Sequence, residues 1–347
     1  MREPMPQRLL LRWLPLAALL TSLLPAVAMA GPEAPAAVPD ARGWLTRLQA
    51  AAQGGNYQGT MVFSVGGVMS SSRVGHYAVG EQVFERLEAL DGRQQRILRH
   101  NDAVHTLWPQ AKLAVVERRD MPGAWSTTPQ QIDPLALDQY ELRREGAARV
   151  AGRDAEVVLL EPRDALRYAQ RLWADLVTGL MLRADVVGAV PATGGARPVL
   201  ESTAFSEIVI GGKSEADKVL QEIRGLPRLD GWRILRPQQQ RTALETEGWA
   251  LARPVAGFRL AGCVRRGMDT AGDGDPVLQA VFTDGLTHVS LFIEPYRAQR
   301  HRGELQAQQG ATGTLMSRRG EYWVTVVGDV PLPTLRLFAD AVERRKP

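Results

Sequence analysis

Cysteine is almost absent: Cys263 is the only one in 347 residues. A single thiol cannot close an intramolecular disulfide, so the fold is held without one even in an oxidising compartment. No nearby histidine marks it as a catalytic thiol, and it reads as a half-buried small residue. Histidine is also scarce, with His76, His100, His105, His288 and His301. None pairs at i, i+4 with a neighbouring Glu. His100 and His105 fall on adjacent predicted strands but come without a third ligand, which is too little for zinc. The sequence therefore predicts no metal site and no cofactor.

Charge of one sign is lacking too. The 42 Lys+Arg face 38 Asp+Glu, for a formal +4. Arg2, Arg8, Arg12 and Glu3 lie in the first thirty residues, which leaves 39 against 37, or +2, for the rest. A nearly neutral chain lacks the field needed for nonspecific nucleic-acid binding. Long apolar runs are missing. The longest, Leu14–Leu24, is short for a membrane span and is broken by Pro15 and followed by Pro25. With Arg2, Arg8 and Arg12 before it and Ala28-Met29-Ala30 after it, the run predicts a secretory signal over residues 1–30, cleaved after Ala30. No cysteine follows that site to carry a lipid anchor.

Catalytic constellations are missing as well. Gly212-Lys213-Ser214 resembles the end of a phosphate loop, but Glu207 stands where the loop needs its first glycine. Ser64 lies one glycine short of a nucleophile elbow. Asp273-Gly274-Asp275 lacks the remaining acids of a calcium loop. Asp154, Glu156, Glu161 and Asp164 are spread along one strand and its ends rather than paired. No catalytic residue is assigned, and no enzyme is expected.

What the sequence does contain is strands. After a Pro/Ala-rich segment from Gly31 to Pro39, Ala41–Ala52 shows a helical stripe of Trp44, Leu45, Leu48 and Ala52 behind the cap residue Asp40. Six short apolar-rich runs then follow between Tyr57 and Arg119, separated by Gly, Asn, Asp and Pro turn signals. A short helix is predicted over Pro134–Leu142. Val150–Asp185 reads as an antiparallel meander, turned at Ala151-Gly152 and again near Asp175–Gly179. Its continuous run Val157–Leu160 predicts a strand covered on both faces. Val199–Ile210 supplies one more strand. Gly211–Gly225 is predicted to link this domain, residues 31–210, to a second over 226–347. The second shows four strand-like runs, a turn at Asp284-Gly285 and a final helix over about Pro333–Glu343.

The spaced stretches VAGR (from Val150), PRD (from Pro162), RYAQRLWAD (from Arg167) and TGL (from Thr178) resemble the RseB/MucB family of periplasmic regulators. VFTDGLTHVSLFIEP and GEYWVTVVGDVP in the second domain resemble the same family. The resemblance implies a mostly β (α+β) fold. Its first domain would be a LolA-like curved antiparallel sheet, or half-barrel, with helices. The smaller C-terminal α+β domain would carry an antiparallel sheet and a terminal helix. It further implies a periplasmic protein that binds the periplasmic segment of a membrane-spanning anti-sigma factor. Binding would shield that segment from proteolysis until a lipid or lipopolysaccharide-type signal releases the regulator. The first domain would sense lipid and the second would bind the anti-sigma factor.

A curled sheet leaves a hollow that takes acyl chains by nonspecific burial. Met61, Phe63, Leu98, Leu107 and Val116 are the candidate lining residues, although packing beneath a helix would explain the same pattern. A periplasmic lipid or lipoprotein carrier is the alternative function. The same reading admits a homo-oligomer.

Overall fold

The computed structural model describes residues 36–37, 40–118, 132–191, 193–228, 230–267 and 276–345. The predicted secretory signal, its cleavage site and the Asp273–Gly274–Asp275 loop lie outside them. The described residues from 36 onward fall in one compact unit, built on two main sheets.

The larger sheet has thirteen strands among the described residues. The first seven are β1 (Ala36–Ala37), β2 (Tyr57–Val65), β3 (Val68–Val79), β4 (Gln82–Ala89), β5 (Arg96–His100), β6 (Ala103–Trp108) and β7 (Leu113–Arg118). The rest are β8 (Tyr140–Val150), β9 (Arg153–Pro162), β10 (Ala169–Asp175), β11 (Met181–Val187), β12 (Val199–Ile210) and β13 (Arg233–Leu235). Two meanders, β2–β7 and β8–β12, are joined where β12 pairs antiparallel with β2. β13 alone runs parallel to its neighbour, β7. Tight turns carry the meanders: Gly66 and Gly67 have φ of 55° and 82°, and Ala151 and Gly152 have 49° and 77°. Positive φ at both central residues suits a two-residue hairpin, at some strain for Ala151.

Burial follows the strand periodicity. Val157, Val158, Leu159 and Leu160 are all buried, as a doubly covered strand requires. Helix α1 (Ala41–Gly54) is capped by Asp40, whose Oδ1 accepts the Gly43 N–H at 2.8 Å. Its Trp44, Leu45 and Leu48 pack on Val158, Leu160 and Leu172. The predicted helix over Pro134–Leu142 is only a 3-10 turn at Pro134–Asp138. Tyr140 and Leu142 belong instead to β8 and pair with Pro162 and Leu160.

The stretch predicted as a linker, 211–225, contains helix α2 (Ala216–Gly225). Its polar residues disguise an amphipathic stripe. Ala216 and Val219 join Tyr77, Phe84, Leu98 and Leu107 in one core, and Glu222 bonds Arg86 and Arg96 at 3.1 Å each. β13 follows in the same sheet, so the chain crosses to the second sheet only at 236–238.

That second part contains β14 (Gln239–Arg241), β15 (Trp249–Leu251), β16 (Arg259–Gly267), β17 (Pro276–Thr283) and β18 (His288–Pro295). It continues with β19 (Leu305–Gln309), β20 (Thr312–Arg319), β21 (Tyr322–Gly328), helix α3 (Leu332–Ala341) and β22 (Val342–Arg344). Seven strands form a sheet in the order β14-β16-β17-β18-β21-β20-β19, while β15 and β22 pair separately. Leu335, Phe338 and Ala339 of α3 cover Phe282, Leu291, Val324 and Val326. Cys263 is buried in the same core, and burial pushes its thiol up to about 11. The architecture is therefore mostly β, with a large curved sheet and a smaller second sheet closed by a terminal helix.

Candidate functional site

The two sheets meet at a buried polar joint. The turn from Pro162 into β10 presents Arg167, and the turn from β17 into β18 presents Asp284. Arg167 Nε donates to Asp284 Oδ2 at 2.7 Å, and neither side chain is exposed. The Tyr140 hydroxyl donates to the same oxygen at 2.9 Å. The other oxygen accepts the backbone N–H groups of Leu286 and Thr287 at 2.9 and 2.8 Å. Arg167 is satisfied in turn. It bonds Asp164, donates to the Ala256 carbonyl at 2.8 Å, and stacks over Phe258 at 4.7 Å. A buried charge pair is tolerable only when its remaining donors and acceptors are met, and here they are. Gly285 lies between the sheets at φ +97°, where a Cβ would approach the Ala136 nitrogen to 2.8 Å. Its carbonyl accepts the Asp133 N–H at 2.7 Å.

Beside this joint lies a cavity of about 1390 Å³. Its first wall is the inner face of the large sheet, read off the register. Met61 pairs with Phe205, Phe63 with Thr203, and Leu87 with Ile97. All six line the cavity, together with Val186 and Ala184. Gln170 lines it as well, while Leu172, two residues on, packs under α1. Helix α1 therefore fills one end of this face and leaves the rest open. The opposite wall comes from the second sheet and is more polar. Arg266, Gln279, Ser290, Thr312 and Thr314 stand there beside Val281, Phe292 and Val327. The first wall also carries polar groups, among them Ser70, Gln95, Glu117 and Arg183, so apolar and polar side chains line the space together, as suits an amphiphile.

The structure divides the predicted lining residues. Met61 and Phe63 face the cavity. Leu98 and Leu107 lie on the other face of the sheet, buried under α2. Val116 pairs with His105, which pairs with Leu98, so it shares that outer face and does not line the cavity. Ile97, Leu87 and Phe205 were missed. Alternation marks Ile97 and Leu98 as opposite in direction without saying which points inward. The helix that decides between them lies in the stretch predicted as a linker.

His100 and His105 share one face of the adjacent strands β5 and β6. His100 stacks on Phe84 at 4.5 Å, and His105 sits on the neighbouring strand. Among the described residues no group of three or more His, Cys, Asp and Glu is placed to hold a metal ion. His288 reaches the cavity, and burial pushes it below the usual imidazole range.

Two β lobes joined by a buried ion pair and sharing a large cavity have the build of a binding protein. The MucB/RseB N-terminal domain family matches residues 40–223, and the MucB/RseB C-terminal domain family matches residues 243–343. The chain belongs to the MucB/RseB family. It is 30% identical over 311 residues to the sigma factor AlgU regulatory protein MucB of Pseudomonas aeruginosa, covering 86% of this chain and 90% of that one. The sigma-E factor regulatory protein RseB of Salmonella typhimurium is 22% identical over 305 residues, covering 87% and 90%. Among solved structures, the Pseudomonas aeruginosa MucA/MucB complex matches with a TM-score of 0.65 at 27% identity, over 89% of this chain and all of that one. MucB in complex with MucA(peri) matches at 0.63 and 28%, over 89% and 100%.

Proposed function

We propose that this chain is a periplasmic regulator acting by binding rather than by catalysis. Its partner is the periplasmic segment of a membrane-spanning anti-sigma factor, which it shields from proteolysis. A lipid-type ligand in the cavity releases the partner and so frees an envelope-stress sigma factor. The observation that carries the regulatory half is similarity to MucB along both domains. The cavity supports the lipid half. Each buried methylene contributes about 0.8 kcal/mol, so an acyl chain with ten buried methylenes would gain roughly 8 kcal/mol before ordering costs. Residues 1–30 serve as the export signal, and the mature chain begins at Gly31.

In this reading the large sheet senses lipid and the second sheet meets the anti-sigma factor. Lining from both sheets gives the coupling a physical route, because a ligand that fits one arrangement of the lobes better than another shifts their equilibrium.

The test uses full-length mature protein and the periplasmic segment of a membrane-spanning anti-sigma factor from the same organism. The segment should bind and resist proteolysis in the complex, and added lipid should reverse both. Binding of a fluorescent acyl probe with no binding of the segment would favour the alternative, a lipid or lipoprotein carrier. Protection that no lipid reverses would remove the lipid half of the proposal.

A further inference from the structure

The two lobes touch at a second place, chemically unlike the Arg167–Asp284 joint. The turn between β19 and β20 reaches across to β12 and β2. Gly310, at φ +61°, sits so close that a Cβ there would come within 2.3 Å of Val65 Cγ2 and 2.8 Å of Glu201 Cγ. Glu201 Oε1 accepts the Ala311 N–H at 3.0 Å and lies 3.4 Å from the Thr312 hydroxyl. The same hydroxyl lies 2.6 Å from Asp329 Oδ1. Ala311 is fully buried. Val65, Glu201, Thr312 and Asp329 all line the cavity, so this contact forms part of its rim.

We propose that Glu201 and the Gly310–Thr312 turn form a latch between the lobes, tightened by protonation and loosened as the pH rises. One hydroxyl carries one hydrogen and cannot satisfy two carboxylates at once. A proton held by Glu201 supplies the missing donor and relieves the repulsion from Asp329 across that hydroxyl. Burial first, and then the Asp329 charge, push the Glu201 carboxyl above the usual carboxylate range, despite bonds from Ala311 and Thr312 that pull it down.

Few other groups bear on this contact. The register partners of Glu201 are Val65 on β2 and Val186 on β11, neither charged. The turn itself contributes Gln308, Gln309, Gly310, Ala311 and Thr312, and Gln308 bonds the Tyr168 hydroxyl at 2.8 Å. Tyr168 is held protonated, because burial raises its pKa further. Beyond Asp329 stands His288 on β18. Burial favours its neutral form, so it opposes closure in acid rather than causing it.

The sign follows from linkage. With the latch open, Glu201 titrates in the ordinary range near 4.5. With it closed, the pKa is higher. The closed form therefore gains below the open-state value, and that gain is lost as the pH rises through the raised value. Elsewhere the opposite holds, because Glu88, Asp175 and Glu247 have lowered pKa values and lose stability in acid. The latch should thus tighten over a range in which the molecule as a whole does not.

Hydrogen exchange on the full chain tests this at the Ala311 amide, which reports local opening. After correction for the intrinsic rate, its protection should fall as the pH rises from the ordinary carboxylate range through the raised Glu201 value. The fall should be about tenfold for each unit by which the Glu201 pKa is raised. In Glu201→Gln the dependence should vanish, while His288→Gln should keep it. Should Glu201→Gln fail to fold by circular dichroism, Asp329→Asn decides instead, and should raise protection at neutral pH and flatten the slope. A wild-type protection independent of pH, a slope that survives Glu201→Gln, or an unchanged Asp329→Asn profile would overturn the proposal.

Discussion

Arg167 and Asp284 lie in different lobes, are both fully buried, and bond at 2.7 Å. Each is held by further donors and acceptors from its own side and from the other. The pair ties the two lobes together, and its energetics are all-or-none. Removing one partner strands the other charge in a dry site, at a cost of about 3–5 kcal/mol. Arg167→Met or Asp284→Asn should lower stability by that amount in urea unfolding. Replacing both with apolar residues should restore part of it. Single variants as stable as the parent would show that water reaches the joint.

Ile97 and Leu98 are neighbours with opposite fates, and substituting each should separate ligand binding from stability. Ile97 faces the cavity, and Leu98 is buried against α2. Ile97→Asp should abolish binding of a fluorescent acyl probe at a small cost in stability. Leu98→Ala should cost about 2–5 kcal/mol, the range for a deleted core leucine, and leave probe affinity unchanged. Equal loss of binding in both would mean that the probe reads fold integrity rather than the cavity.

Asp175 sets an acid limit. Burial pushes its carboxyl up, but hydrogen bonds from Arg153 and Thr178 outweigh that and hold it below the usual range. A lowered native pKa means stability that is present above the ordinary value near 3.8 and lost as the pH falls through the lowered one. Unfolding free energy measured in urea from pH 6 down to 2.5 should therefore drop at the acid end. Asp175→Asn should begin less stable and show a shallower drop. A slope identical to the parent's would move the acid sensitivity to other carboxylates.

Local signals in the sequence proved legible where a single residue type enforces a geometry. Asp40 caps α1 as predicted, and the Trp44, Leu45, Leu48 stripe is its buried face. The Val157–Leu160 run is covered on both sides. The motifs PRD and TDGL, quoted for their resemblance, supply Asp164, Asp284, Gly285 and Leu286 to the joint between the lobes. Less legible was 211–225. The polar break from Gly211 to Asp217 suggested a linker, yet Ala216 and Val219 turn one face of α2 toward the sheet. Ala216, Val219, Leu220 and Ile223 recur at helical spacing, a signal that could have found α2, but only contact with Tyr77, Phe84 and Leu98 makes the stripe a core.

By itself the sequence determined the strand-rich architecture, its turns and the family. These rest on neighbouring residues: φ limits at glycine and proline, a period of two along each strand, and spaced motifs. Tertiary structure alone decided which face of each strand became the cavity wall. Alternation is symmetric until a helix covers one side, and α2 took Leu98 and Leu107 while leaving Met61 and Phe63 open. It also decided that the hollow belongs to both lobes. Glu201 and Thr312 are 111 residues apart, as are no two residues a local pattern can relate, and they meet only because the second sheet folds back over the first.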